Sequence, residues 1–188
     1  FERGRNLAKM GMKAQDTAEL FFENVRIPAD NVLGPPEGGF FMLMQGLAEE
    51  RLIAAVGNVV GAQMAMHVTK DFVAQRKVFG KPLSKFQNTR FKLAELDAEI
   101  DIAQTYVDRA VQVHNEGQLT SEDAARIKLY SSELAGRTVD VCLQLHGGAG
   151  YMDEYPICRM YQDERINRIL AGSSEIMKEI IARQILGR

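Results

Sequence analysis

The segment GFFMLMQGLAEERLIAAVGNVVGAQMAMHVTKDFVAQRKVFG, residues 39–80, is the strongest structural signal in the chain. It contains no proline, and apolar residues recur every three or four positions, which is the period of an α-helix packed against a core. We predict a long, largely buried helix of roughly ten turns. Within it, Glu49-Glu50-Arg51 is unexpected, because successive helical residues rotate by about 100° and at least one of these charges must lie near the core face.

Two further apolar series with steps of three and four follow the long helix. They run over residues 93–110 and 124–145, and each ends at a glycine-containing turn. Shorter helices are predicted over residues 156–170 and 174–186. Such seams keep one face of each helix on a common core. The pattern predicts a mainly α fold, an antiparallel helical bundle of the four-helix type, with a short β segment at the N-terminus.

The N-terminal residues have a different pattern. Over residues 17–27, aromatic and β-branched residues alternate with polar ones, which is typical of a strand. Because one or two strands alone are only marginally stable, we interpret residues 1–36 as the tail of a middle β domain plus a linker, and residues 37–188 as the helical bundle domain. The chain begins at Phe1 and not at methionine, so we expect a fragment of a longer protein.

The composition indicates an ordinary globular protein, with 46% hydrophobic and 26% charged residues. The formal net charge of -2 gives no general attraction to nucleic acid or to an acidic membrane surface. Cys142 and Cys158 are far apart in sequence, which favours reduced thiols in a cytoplasm-like compartment. The sequence suggests neither a signal peptide nor a transmembrane-length apolar run. The three histidines are too scattered to predict a metal site.

Three polar or glycine-rich segments interrupt the helices: RKVFGKP at 76–82, QLHGGAGY at 144–151 and AGSSE at 171–175. Each has a structural interpretation, because basic residues and glycines are common at helix ends. Together they also supply what a phosphorylated ligand requires. Arginine makes bidentate contacts, glycines allow close backbone approach, and a helix N-terminus attracts an anion.

These segments carry a resemblance to a known family. RKxFGK with FQ at 86–87, QxHGGxGY at 144–151 and GSSEI at 172–176 resemble the three signatures of the C-terminal half of the acyl-CoA dehydrogenases. Their order, spacing and helical context agree with the family, and the similarity extends over essentially the whole chain. The glycine cluster is not a dinucleotide-binding fingerprint, because no strand precedes it and its spacing differs.

The resemblance implies FAD as the cofactor, held between subunits of a homotetramer or dimer of dimers. By that resemblance, Arg76 and Gln87 contact the diphosphate-adenosine part. Residues 144–148 approach the same part on a neighbouring subunit's cofactor, and residues 173–175 lie along the flavin and its ribose or ribityl chain. The implied cofactor-binding residues are Arg76, Phe79, Gln87, Gln144, Gly147, Gly148, Ser173 and Glu175.

The reaction implied by the resemblance is α,β-dehydrogenation of an acyl-CoA thioester, which requires a base for the α-proton. Many family members carry a glutamate just before the glycine of the last signature, where this chain has Ala171. A minority, resembling long-chain and isovaleryl-CoA dehydrogenases, place it in the first long helix before Arg-Leu. That position is Glu50 here, with Glu49 as the alternative. A solvated stripe of helical ion pairs would also explain the cluster.

Substrate contacts are implied at four positions. Arg51 is expected to steer the carboxylate of Glu50, Phe41 to line the acyl pocket, and the backbone of Ala171 and Gly172 to polarise the thioester carbonyl.

The family also implies electron-transfer flavoprotein as the electron acceptor, with a bacterial cytoplasmic or a mitochondrial matrix location. We expect little or no turnover from this fragment alone. Two other functions stay open. The scaffold could serve as a non-catalytic helical assembly module, or the enzyme could be an oxidase that passes electrons to oxygen.

Overall fold

The computed structural model describes residues 1–187, which contain five α-helices. They are α1 (Gly39–Gln75), α2 (Gln87–Asn115), α3 (Ser121–His146), α4 (Pro156–Glu164) and α5 (Ser174–Leu186). A 3₁₀ turn over Arg165–Arg168 follows α4, so the helix predicted over residues 156–170 is shorter than expected. The mainly α bundle predicted from the apolar series is confirmed.

The strands form two small antiparallel hairpins. β1 (Glu2–Asn6) pairs with β2 (Ala18–Phe21), and β3 (Lys77–Val78) pairs with β4 (Lys81–Pro82). The strand predicted over residues 17–27 therefore ends early, at Phe21. In the second hairpin, Phe79 and Gly80 have φ of 50° and 79°, the left-handed conformations of a tight hairpin turn. This hairpin, which reverses the chain between α1 and α2, was not predicted.

The core lies mainly between α1 and α3, with α2 packed against both. Small residues such as Ala55, Ala62 and Ala135 are fully buried, which lets the helices approach closely. The prediction that α1 is largely buried is correct for one face only. Val56 and Val60, which the apolar series placed in the core, are 37% and 53% exposed.

By length and composition alone, α1 could cross a membrane, so the prediction of no such apolar run is wrong. Core helices of globular proteins meet the same two criteria, and one such helix is weak support for a membrane span. In this fold the buried face of α1 packs on α3.

The segment after β1 is attached to α4. The backbone N–H of Met12 donates a hydrogen bond to the carboxylate of Asp163. A side chain at Gly11 would collide with the backbone carbonyl of Gln162. These contacts bring the N-terminal segment beside the end of α4. The division into a domain tail at residues 1–36 and a bundle at 37–188 remains a prediction.

Candidate active-site cleft

A cleft of about 650 Å³ runs along α1 and is closed on the other side by α4 and the turn before α5. Its walls are mainly apolar, with the three carboxylates of Glu50, Asp163 and Glu164 among them. The lining residues that matter for its chemistry are Glu50, Gly57, Asn58, Gly61, Glu164 and Ala171. An apolar cleft with a few polar groups is the usual form of a small-molecule site.

Glu50 and Ala171 line this same cleft from two different structural elements, although they are far apart in sequence. Glu50 comes from α1, and Ala171 from the turn before α5. The two positions at which the resemblance allows a base therefore line the same cleft. Glu49 and Glu50 are both exposed, but in the described part of the chain only Glu50 is among the cleft-lining residues. The cleft geometry therefore favours Glu50 over Glu49.

Arg51 is buried where α1 meets α3. Its Nη1 donates a 2.9 Å hydrogen bond to Ser121 Oγ at the start of α3. Burial lowers the pKa of this guanidinium, with Glu50 and Glu122 opposing the shift. Within residues 1–187, Arg51 is absent from the cleft wall. Its position supports a structural role between α1 and α3, and the expected substrate contact stays a prediction.

The turn before α5 has an unusual backbone. Ala171 and Gly172 have φ of 52° and 96°, and a left-handed conformation is unfavourable for alanine. Lys128 of α3, fully buried, donates a 2.7 Å hydrogen bond from Nζ to the carbonyl of Gly172. Ser174 donates to Glu133 Oε1 at 2.6 Å. Two contacts from α3 therefore hold this turn against the cleft.

Lys128 is a buried ammonium with charges of both signs nearby. Burial lowers its pKa, and the nearby charge of Arg51 lowers it further, while Glu133 and Glu175 oppose the shift. The position could have been noticed in the sequence, because a lysine there follows the apolar residue Ile127 within the seam of α3. The sequence analysis missed it.

A second cavity, of about 330 Å³, lies at the far end of α1. It brings together Arg76, Gln144, Gly147 and Gly148 from two segments that are separate in sequence. Gly147 has φ of 58°, and side chains built at Gly147 and Gly148 would meet nothing among residues 1–187. A guanidinium, an amide and accessible backbone suit a phosphate-containing group. The residues therefore fit the diphosphate part of a dinucleotide.

His146 also lines this second cavity; it lies within the predicted range 144–148 but was not named individually as a site residue. Its ring stacks on Phe72 with centroids 4.1 Å apart, and Nδ1 donates a 2.8 Å hydrogen bond to the carbonyl of Cys142. Burial lowers the pKa of His146, which the bond to Cys142 opposes. These contacts favour a neutral ring that fixes the glycine turn after α3.

The other predicted cofactor residues do not join the second cavity. Phe79 is 96% exposed, and Gln87 is exposed at the start of α2. Ser173 is the N-cap of α5 and accepts a hydrogen bond from the N–H of Ile176. The pKa of Glu175 is lowered by its own backbone N–H and by Ser173. Both residues lie near Ala171, at the cleft end of the molecule.

Two remaining predictions concern Phe41 and metal binding. Phe41 is 69% exposed and, in the part of the chain that the structure describes, does not line the cleft. Residues 1–187 alone therefore do not form an acyl pocket around Phe41. Among residues 1–187, no group of three or more His, Cys, Asp or Glu side chains could hold a metal ion.

Comparison with known proteins gives consistent matches. A family model described as "Acyl-CoA dehydrogenase, C-terminal domain" matches residues 37–186. The chain is 48% identical to the mouse mitochondrial long-chain specific acyl-CoA dehydrogenase, covering 99% of this chain and 43% of that protein. The chain thus spans less than half the length of this relative.

Solved structures agree with these matches. The acyl-CoA dehydrogenase from Geobacillus kaustophilus superposes with a TM-score of 0.95 at 44% identity, over 98% of this chain and 48% of that one. An acyl-CoA dehydrogenase complexed with FAD from Bacillus anthracis has a TM-score of 0.93 at 30% identity, over 99% of this chain and 35% of that one.

Proposed function

The chain belongs to the acyl-CoA dehydrogenase family, and on that premise we propose that it is the C-terminal part of an FAD-dependent enzyme that dehydrogenates acyl-CoA thioesters between the α and β carbons. The observation that carries the proposal is that Glu50 and Ala171 line one apolar cleft. Since the alanine side chain cannot accept a proton, the carboxylate of Glu50 on α1 is the proton acceptor at these two positions.

Glu50 acts as the base. Its carboxylate takes the α-proton, and the electrons of the α C–H bond form the new double bond. FAD, when bound, would supply the acceptor for the β-hydrogen and its electron pair. A base must come within hydrogen-bond reach of the proton that it removes. The apolar walls around Glu50, including Ile53 and Leu170, exclude water from that space once an acyl chain fills it.

The turn at Ala171 and Gly172 orients the thioester. Backbone N–H groups next to the cleft polarise the carbonyl oxygen, which makes the α-proton more acidic. The hydrogen bond from Lys128 to Gly172 fixes the direction of these groups. The turn thus supplies position and polarisation, and Glu50 supplies the proton acceptor.

Arg76, Gln144, Gly147 and Gly148 line one cavity and would hold the diphosphate of a single FAD there, whereas the resemblance alone implied the cofactors of two subunits. The guanidinium gives charge-assisted hydrogen bonds, and the glycines allow close approach of the backbone. Phe79 and Gln87, which are exposed on this chain, contact the adenosine part. Ser173 and Glu175 lie along the flavin at the cleft end.

The assembly and the partners follow from the same premise. The exposed apolar side chains of α1 and α5, such as Leu43, Ile53 and Ile185, are covered by the rest of the protein and by further subunits of a homo-oligomer. Electron-transfer flavoprotein accepts the electrons. The enzyme works in the bacterial cytoplasm or the mitochondrial matrix.

An anaerobic titration of the FAD-loaded full-length protein with acyl-CoA thioesters tests this function. We expect the flavin absorbance to bleach on addition of substrate and to stay bleached until an electron acceptor is added. No bleaching with any acyl-CoA would contradict the proposal and favour an assembly module. Rapid peroxide formation in air after bleaching would identify an oxidase.

A further inference from the structure

Besides Glu50 and Asp163, the carboxyl group of Glu164 lies in the wall of the cleft. Glu164 is the last residue of α4 and is 8% exposed. Its side chain faces α1 where that helix has a glycine. A Cβ built at Gly61 would lie 3.3 Å from Glu164 Oε2. The absence of a side chain at Gly61 therefore gives the carboxyl its place between α4 and α1.

The hydrogen bonding of this carboxyl is incomplete. Glu164 Oε1 is buried and has no hydrogen-bond partner among the residues described, 1–187. The nearby Arg168 points its Nη1 towards Glu133 Oε2, 3.6 Å away. Burial raises the pKa of Glu164 to about 7, with the hydrogen bond from Asn167 and the charge of Arg168 opposing the shift. Near neutral pH the carboxyl is thus able to donate or to accept a hydrogen bond.

A buried polar group without a partner is unfavourable for folding, and such groups are uncommon. The arrangement is explained if the partner is a ligand in the cleft. Glu164 and Glu50 line the same space. Glu164 packs against Gly61 of α1. Gly61 is eleven residues from Glu50, so the two positions on α1 are separated by about 16 Å along the helix axis.

We propose that Glu164 makes the distal part of the cleft selective for acyl groups that carry a hydroxyl far from the thioester. The inference rests on the proposed function, in which Glu50 marks the position of the α carbon. An unsubstituted chain offers the Glu164 carboxyl no partner, whereas a hydroxyl in the cleft would pair with it. Sites built to hydrogen-bond a substrate group discriminate strongly against the analogue that lacks it.

The test compares two acyl-CoA substrates of equal chain length, one unsubstituted and one with a hydroxyl near the end of the chain. The readout is the ratio of kcat/KM for anaerobic flavin reduction in the full-length FAD-loaded enzyme. We expect the hydroxylated substrate to be preferred about tenfold or more. A wild-type ratio near one would overturn the proposal without any variant.

Three variants assign the preference to Glu164. Glu164→Leu removes the hydrogen-bonding group and should abolish the preference. Glu164→Gln keeps a hydrogen-bonding group and should retain most of it. The matched control is Asp140→Leu, which removes an exposed carboxylate on α3 outside the cleft and should retain the full ratio. An unchanged ratio in Glu164→Leu would show that Glu164 does not select the substrate.

The outcome also separates this inference from the proposed function. If flavin is reduced by acyl-CoA thioesters but the ratio is the same in wild type and Glu164→Leu, only the selectivity is wrong. If no acyl-CoA reduces the flavin, the function on which the selectivity rests is wrong as well.

Discussion

Lys128 Nζ and the carbonyl oxygen of Gly172 are joined by a 2.7 Å hydrogen bond that connects the middle of α3 to the turn before α5. The two residues are 44 positions apart in sequence. Because the turn includes Ala171 on the cleft wall, this one contact couples the bundle core to the position of the backbone that faces the substrate.

Replacing Lys128 with methionine should slow flavin reduction by about tenfold or more, because small displacements of orienting groups are costly in rate. The side chains have similar length, so the change removes mainly the ammonium. Rapid mixing of the FAD-loaded variant with acyl-CoA measures the effect.

Lys178→Met on the exposed face of α5 is the matched control and should reduce flavin at the wild-type rate. If Lys128→Met also kept the wild-type rate, the hydrogen bond to Gly172 would have no part in orienting the turn.

Glu164 should make stability depend on pH. Its pKa is raised from 4.5 to about 7 in the folded protein, so the folded state binds more protons than the unfolded state between these values. The stability contributed by Glu164 therefore falls as the pH rises through this range. Glu164→Gln should be more stable than wild type by up to about 3 kcal/mol at pH 8.

Melting temperatures of the two proteins at several pH values measure this effect. The difference should disappear below about pH 4, under the unfolded pKa of 4.5, where the glutamate is protonated in both states. A difference that is constant from pH 5 to pH 8 would mean that the buried carboxyl does not titrate in this range. Asp140→Asn serves as the exposed control.

Arg76 should contribute to FAD affinity. Arg76→Met removes the guanidinium from the second cavity and should raise the Kd for FAD by about tenfold or more, since charge-assisted hydrogen bonds are the stronger ones. Lys70→Met, on the exposed surface of the same helix, should bind FAD like wild type. Fluorescence titration of the apoprotein with FAD gives both values, and equal Kd values for the two variants would reject the assignment.

A base placed at residue 171 should replace the one at residue 50. Both positions line the same cleft, so Glu50→Gln combined with Ala171→Glu should recover part of the flavin reduction that Glu50→Gln alone loses. The recovery will be incomplete, because residue 171 has a left-handed φ of 52° that fixes the direction of its side chain. A double variant as slow as Glu50→Gln would show that the two positions do not serve one reaction centre.

The helices were predictable from the sequence because their signals are local. The apolar series of α2 and α3 predicted the bundle. The start of α3 also has a local signal, because Asp123 follows Thr120 by three residues. In the structure, Thr120 Oγ1 accepts a 3.1 Å hydrogen bond from the N–H of Asp123. The hairpin at β3 and β4 was missed because its strands have two residues each and carry no periodic pattern.

The contacts of the site were harder to predict because they join distant parts of the chain. Sequence periodicity indicated that some charge of Glu49-Glu50-Arg51 lies near the core, but it could not assign the buried member. That member is Arg51, whose partner Ser121 is 70 residues away. The same holds for Glu164, whose burial depends on the missing side chain of Gly61 on another helix.

The central claim is that Glu50 is the base, and the rate of anaerobic flavin reduction by acyl-CoA tests it most directly. Glu50→Gln should reduce flavin about 10²- to 10⁴-fold more slowly than wild type, the range expected for loss of a general base, while still binding the substrate. Glu49→Gln, the neighbouring exposed carboxylate, should react at close to the wild-type rate. Flavin reduction by Glu50→Gln as fast as by wild type would contradict the account.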